Sequence, residues 1–116
     1  MVDIGITGNN LYNIARSETA DLGSSATDIN SAAVPTGGRR YVYHLVLAET
    51  SGAAATVTIT DGTNTILKVR LTANQTVELG GNILTPILIL ESAEQLKGLS
   101  ATTSTATAAY YDNPSR

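Results

Sequence analysis

The chain has 116 residues, 42% of them hydrophobic and 15% charged, with a formal net charge of -3 and no cysteine. That is enough apolar material for one modest core, and it separates the chain from disordered sequences. It excludes a disulfide framework and thiolate zinc sites, and it supplies no overall basic field for nucleic acid.

No apolar run approaches the roughly 18 residues of a membrane span, so no membrane partner is expected. Met1-Val2-Asp3-Ile4-Gly5 lacks the basic end and apolar centre of a signal peptide, so synthesis in a cytoplasm is expected. Phe and Trp are absent, while many Thr alternate with aliphatics. β-Branched side chains are stiff at χ1 and suit a pleated surface, which shifts the prior towards an all-β fold.

Residues 1–23 read as a polar leader carrying scattered Ile4, Ile6, Leu11, Tyr12, Ile14 and Leu22. Gly8-Asn9-Asn10 leaves too little length for a helix, so an extended N-terminal arm is expected, followed by a single domain over 24–116. Ala26 to Val34 reads as a weak first strand, closed by Pro35-Thr36-Gly37-Gly38, where Pro fixes one φ and the glycines permit positive φ. Arg40 to Glu49 is the strongest strand. Strict alternation places Tyr41, Tyr43, Leu45 and Leu47 on one face and Val42, His44, Val46 and Ala48 on the other. Both faces are largely apolar, as in a central strand covered on both sides.

Ala55 to Thr60 alternates Val57 and Ile59 against threonines, and Asp61-Gly62-Thr63-Asn64 is a hairpin turn signal. Ile66 to Leu71 returns with Leu67, Val69 and Leu71 inward and Lys68 and Arg70 outward. Thr76 to Leu79 is short and ends at Gly80-Gly81-Asn82. Ile87-Leu88-Ile89-Leu90 is a continuous apolar run suited to a buried strand. Gln95 to Ser100 and Thr103 to Tyr111 supply the last strands. Some eight short strands at hairpin spacing predict an antiparallel β-sandwich of jelly-roll or Greek-key type.

No catalytic constellation emerges. The only histidine, His44, sits mid-strand between Val42 and Val46, away from any nucleophile-acid pattern. Asp61-Gly62-Thr63-Asn64 lacks the alternating oxygen ligands and closing Glu of a calcium loop. Glu78 and Glu91 satisfy a glycosidase by number alone, with nothing to raise them above solvated strand residues. Gly37-Gly38-Arg39 precedes no helix that would aim amides at a phosphate. The chain is read as non-enzymatic, without cofactor or metal. Arg39 and Arg40 are expected on opposite faces of their strand, paired with carboxylates of a neighbouring chain, with Tyr41 and Tyr43 burying their rings.

The Pro-Gly turn before an Arg-Tyr strand (Pro35 to Tyr41), the Gly-Ala-Thr-Val strand (Gly52 to Val57) and the Asp61-Gly62 turn form a layout. A glycine-bounded hairpin and a final Thr/Ala/Tyr strand complete it. Over residues 32 to 112 this layout resembles the small β-sandwich structural proteins of tailed-bacteriophage virions. Size and the lack of a chemical site look most like a capsid decoration (cement) protein within that group. The resemblance implies a homotrimer on the capsid surface of the virion, bound to the major capsid protein and stabilising the head, with an arm reaching onto neighbours.

On that reading the interface candidates are Leu11, Tyr12, Ile14, Arg16, Arg39, Arg40, Tyr110 and Tyr111. The alternatives are a head fibre base, tail tube or tail-tip component. A further one is a carbohydrate-binding module whose sugar platform is Tyr41, Tyr43, Tyr110 or Tyr111, although such platforms favour Trp.

Overall fold

The computed structural model describes residues 15–114, which form β-strands joined by turns, with no helix among them. The strands are β1 (Arg16–Leu22), β2 (Thr27–Asp28), β3 (Gly38–Glu49), β4 (Ala55–Thr60), β5 (Thr65–Leu71), β6 (Thr76–Gly80), β7 (Leu88–Leu90), β8 (Lys97–Ser100) and β9 (Ser104–Pro114). All pairings are antiparallel. One sheet runs β1-β9-β3-β6, with β7 also on β3, and the other runs β2-β8-β4-β5. β6 and β7 lie end to end along one side of β3, against His44–Ala48 and Arg40–Val42 respectively. The all-β antiparallel sandwich expected from the strand spacing is what the chain forms.

Alternation builds the core. Val42, Leu45 and Leu47 of the first sheet meet Val57, Ile59 and Leu71 of the second, all fully buried, with Leu22, Leu90 and Leu96 closing the ends. Each such side chain contributes about 1.5–3 kcal/mol on leaving water. The small Ala106 and Ala108 of β9 are also fully buried, which explains why the low-complexity Thr/Ala segment is a central strand. β5 has Leu67, Val69 and Leu71 inward and Lys68 and Arg70 exposed, as its alternation predicts.

Three expectations are corrected. Residues 16–22, assigned to the arm, form β1: Arg16 lies opposite Tyr110 and Leu22 opposite Ser104, and Leu22 is buried. The polar run Arg-Ser-Glu-Thr hides this strand, because only Ala20 and Leu22 face the core while Glu18 meets a polar network. The expected strand over Ala26–Val34 shrinks to the two residues of β2. The chain instead reaches the core through isolated anchors, Ile29 and Val34, whose backbone amides donate to Leu96 and Glu94 carbonyls at 2.8 Å each.

The strict alternation across β3 also fails. Its register against β9 shifts between Val42 and His44, so Tyr43 is the extra residue of a bulge. A bulge inverts the alternation beyond it. Arg40 and Val42 face inward before it, and Leu45, Leu47 and Glu49 after it.

At the far end of β3, the buried Glu49 carboxylate ties three loops together. It accepts from the amides of Ser51 (2.9 Å), Gly52 (2.9 Å) and Asn74 (3.0 Å), and from the hydroxyls of Ser51 and Thr102. Donation from the Asn74 amide, then from Ser51, holds its pKa down at about 2.

Candidate interaction surface

The bulge of β3 and the gap between β6 and β7 coincide, and together they set up an outward-facing surface. The Gly81 amide donates to the Tyr43 carbonyl at 2.7 Å, and the Ile87 amide to the adjacent Val42 carbonyl at 2.8 Å. The excursion over 81–87 is therefore pinned at both feet to consecutive residues of β3. Gly80 makes the sharp exit from β6 possible. Its φ is +74°, and a Cβ there would sit 2.3 Å from the Tyr43 carbonyl oxygen.

Within the excursion the Asn82 side-chain oxygen accepts from the Leu84 amide at 2.9 Å. The Asn82 carbonyl accepts from the Thr85 amide at the same distance. This turn holds an apolar pair at its tip, with Ile83 44% and Leu84 83% exposed. Turn tips normally carry Gly, Asn or Asp, so an internally bonded turn presenting Ile-Leu is a knob.

A shelf is formed separately by β3, β7 and β9. Tyr41 pairs with Ile89 of β7 on one side and Tyr111 of β9 on the other, so three outward side chains form a row across three strands. The Tyr41 and Tyr111 rings stack at 5.2 Å and 21°, and Tyr43 tilts against Tyr111 at 6.3 Å. Ile89 is 54% exposed. At the rim, Arg39 Nε donates to Glu91 Oε1 at 3.0 Å, and this contact raises the Arg39 pKa. Of the five large hydrophobic residues that are exposed among the described residues, Ile83, Leu84, Ile87 and Ile89 fall within the short stretch 83–89, and Ile66 lies on β5.

The proposed interface residues scatter by comparison. Leu11, Tyr12 and Ile14 lie outside the described residues. Arg16 is exposed at the start of β1. Arg39 and Arg40 do point to opposite faces, but their carboxylate partners belong to the same chain. Tyr111 belongs to the shelf.

Arg40 and Tyr110, each 1% exposed, are interior residues and offer nothing to a neighbour. Arg40 binds Asp112, the Ala32 carbonyl (2.6 Å) and Asn30 Oδ1 (3.3 Å), with its guanidinium 4.3 Å from the centre of the Tyr110 ring. The Tyr110 hydroxyl donates to Glu18 at 2.8 Å; burial first, then this bond, raises its pKa. Burial pushes the Glu18 carboxyl up, yet bonds from Ser31 and Tyr110 more than offset it and leave its pKa lowered.

Sequence reasoning missed the knob, although Gly-Gly-Asn-Ile-Leu-Thr-Pro was a readable signal: an apolar pair between two turn markers. Tyr41 and Tyr43, expected to bury their rings, are half-buried and pack with Tyr111 on the outer face.

Among the described residues no group of three or more His, Asp or Glu is placed to hold a metal ion. His44 Nε2 donates to Glu78 Oε1 at 3.1 Å on the outer face, and Glu91 is engaged by Arg39. Of the four tyrosines of the sugar-platform alternative, Tyr110 is interior, and Tyr41 stacks on Tyr111. Fold and surface together define a β-sandwich whose distinctive feature is the exposed apolar residues between β6 and the end of β7, with a row of half-buried tyrosines on β3 and β9.

No family model matches this sequence, and no curated protein matches it. A solved structure described as a pentameric capsid protein isolated from metagenomic phage sequences is similar at 19% identity, with a TM-score of 0.37. The match covers 96% of this chain and 75% of that one. A superposition at that level carries no functional inference for this chain.

Proposed function

We propose that this is a non-enzymatic structural protein of a tailed-phage virion: a capsid decoration (cement) protein that binds the outer capsid lattice and stabilises the head. The observation that carries the reading is the cluster of exposed apolar residues within 83–89, Ile83, Leu84, Ile87 and Ile89. Exposed apolar residues gathered in one segment support a protein-binding role. The sequence layout from Pro35 to Tyr111 supports the phage assignment. The strand orders β1-β9-β3-β6 and β2-β8-β4-β5, with β6 and β7 counted as one position, support the jelly-roll reading, an architecture used in viral capsids.

The partner on this reading is the major capsid protein, and the working unit is a homo-oligomer, a trimer. Leu11, Tyr12 and Ile14 of the leader, with Arg16, supply an arm that covers a neighbouring surface. Repetition over the lattice lets each contact be modest while the shell is clamped as a whole. The test is sedimentation of the purified chain with undecorated capsids. Saturable binding is expected, with occupancy largely lost when residues 2–14 are deleted. The deletion stops at 14 because β1 begins at Arg16. Absence of co-sedimentation at every concentration overturns the proposal.

A further inference from the structure

Two of the sheet edges, β1 and β5, are strands of seven residues, and they are held very differently. β5 turns Leu67, Val69 and Leu71 inward. β1 pairs with β9 alone and turns Glu18, Ala20 and Leu22 inward, with Arg16, Ser17, Thr19 and Asp21 exposed. Of these only Leu22 is a seated apolar anchor. It is 2% exposed, and its side chain converges with those of Ile29 and Ile59 over Gly98. Upstream of Leu22 the strand gives the core one half-buried alanine, Ala20.

Glu18 supplies what apolar packing does not. Its carboxylate accepts from the Ser31 amide at 3.0 Å, the Ser31 hydroxyl at 2.7 Å and the Tyr110 hydroxyl at 2.8 Å. Bonds to an ionised acceptor are the strong ones, and these come from two separate elements, the 29–34 segment and β9. The contact between the Thr19 and Thr107 hydroxyls, 2.8 Å, is exposed and neutral. At the other end of β1, the Gly23 carbonyl accepts from the Ser100 amide at 2.7 Å, which fixes the chain just beyond Leu22.

We infer that residues 16–21 are a releasable strap, caught by Glu18 and hinged at Leu22, which lifts off β9 while the body of the sandwich stays folded. Segments with few buried apolar contacts open at a fraction of the global free energy. The fully buried Leu45, Leu47, Val57, Ile59 and Leu71 belong to β3, β4 and β5 and stay with the body. Lifting the strap bares the β9 backbone over residues 105–110, an open strand position. The inference concerns the free chain, and it stands or falls independently of capsid binding.

The experiment is native-state hydrogen exchange by NMR on the full chain, in urea below the unfolding transition. The slowly exchanging amides of residues 16–21 are expected to open at lower free energy than those of Leu45 and Leu47. Their urea dependence should also be shallower, because little surface is exposed when the strap lifts.

Tyr110→Phe and Ser31→Ala each remove one hydroxyl donor to Glu18 from outside the strap. Each should speed strap exchange by about tenfold or more, although neither alters a strap residue. Thr19→Ala, a change on the strap itself, should speed it less. Strap amides that share the free energy and urea slope of Leu45 and Leu47 overturn the inference, since the strap then opens only with the whole domain. Strap exchange unmoved by both Tyr110→Phe and Ser31→Ala overturns Glu18 as the catch.

Discussion

Arg40 and Asp112 stand directly opposite each other on β3 and β9, and the guanidinium grips the carboxylate with both ends, Nε to Oδ1 at 2.7 Å and Nη2 to Oδ2 at 2.9 Å. The pair is interior, with Arg40 side-chain exposure of 1%. Removing one partner leaves a charge stranded in low dielectric, which costs about 3–5 kcal/mol. Arg40→Ala and Asp112→Ala should each destabilise by that amount in urea unfolding. Arg40→Met with Asp112→Leu should lose far less than the sum, because neither charge remains to be desolvated. Additive losses would mean that the other Arg40 contacts, to Asn30 and Ala32, dominate.

Arg39, one residue earlier, gives the contrasting case. Its bond to Glu91 is exposed, 46% and 58% on the two side chains, and such pairs contribute little because solvent screens them. Arg39→Ala should unfold close to the wild type in the same titration, and any small difference should shrink further in high salt.

Acid should act through Glu49. Its ordinary value of 4.5 falls to about 2 in the folded chain. A depressed carboxylate contributes stability that is complete above the unfolded value and is lost as pH falls from about 4.5 towards 2. Glu18 and Asp61, both lowered as well, add to the same limb. Thermal unfolding between pH 6 and pH 2 should therefore show a falling Tm. Glu49→Gln should lower Tm at pH 7 by roughly 5–10 °C and flatten the acid slope. An unchanged slope would place the acid sensitivity elsewhere.

Gly80→Ala should be destabilising by more than about 1 kcal/mol, since it meets both a positive φ and the Tyr43 carbonyl. Gly23→Ala, with nothing within 4 Å of the added carbon and no positive φ, should be near neutral. Equal effects in chemical denaturation would argue against the pinned geometry of the excursion.

The strands with clean alternation were legible from residues alone. β4 and β5 sit where Val57, Ile59, Leu67, Val69 and Leu71 put them. β1 was not, because its inward side chains include Glu18, whose place is explained only by Tyr110 and Ser31, distant in sequence. The bulge at Tyr43 was invisible for a related reason: both faces of β3 are apolar near it, so the pattern does not register an extra residue. Arg40 read as a surface cation because its acceptors, Asp112 and the carbonyls of Ala32 and Ala33, are brought together only by the fold. The surface itself was half legible, its tyrosines noticed and its Ile-Leu tip overlooked.

The end-to-end seating of β6 and β7 on β3 separates inheritance of the scaffold from inheritance of its target. The polypeptide leaves the sheet at Tyr43 and rejoins it at Val42, so what lies between those two points is a cassette. Exchanging its tip, residues 83 and 84, touches neither of these anchoring bonds. On the proposed function, a lineage carrying this sandwich could change what it binds by rewriting residues 82–86, and a laboratory could use the same position to display a peptide.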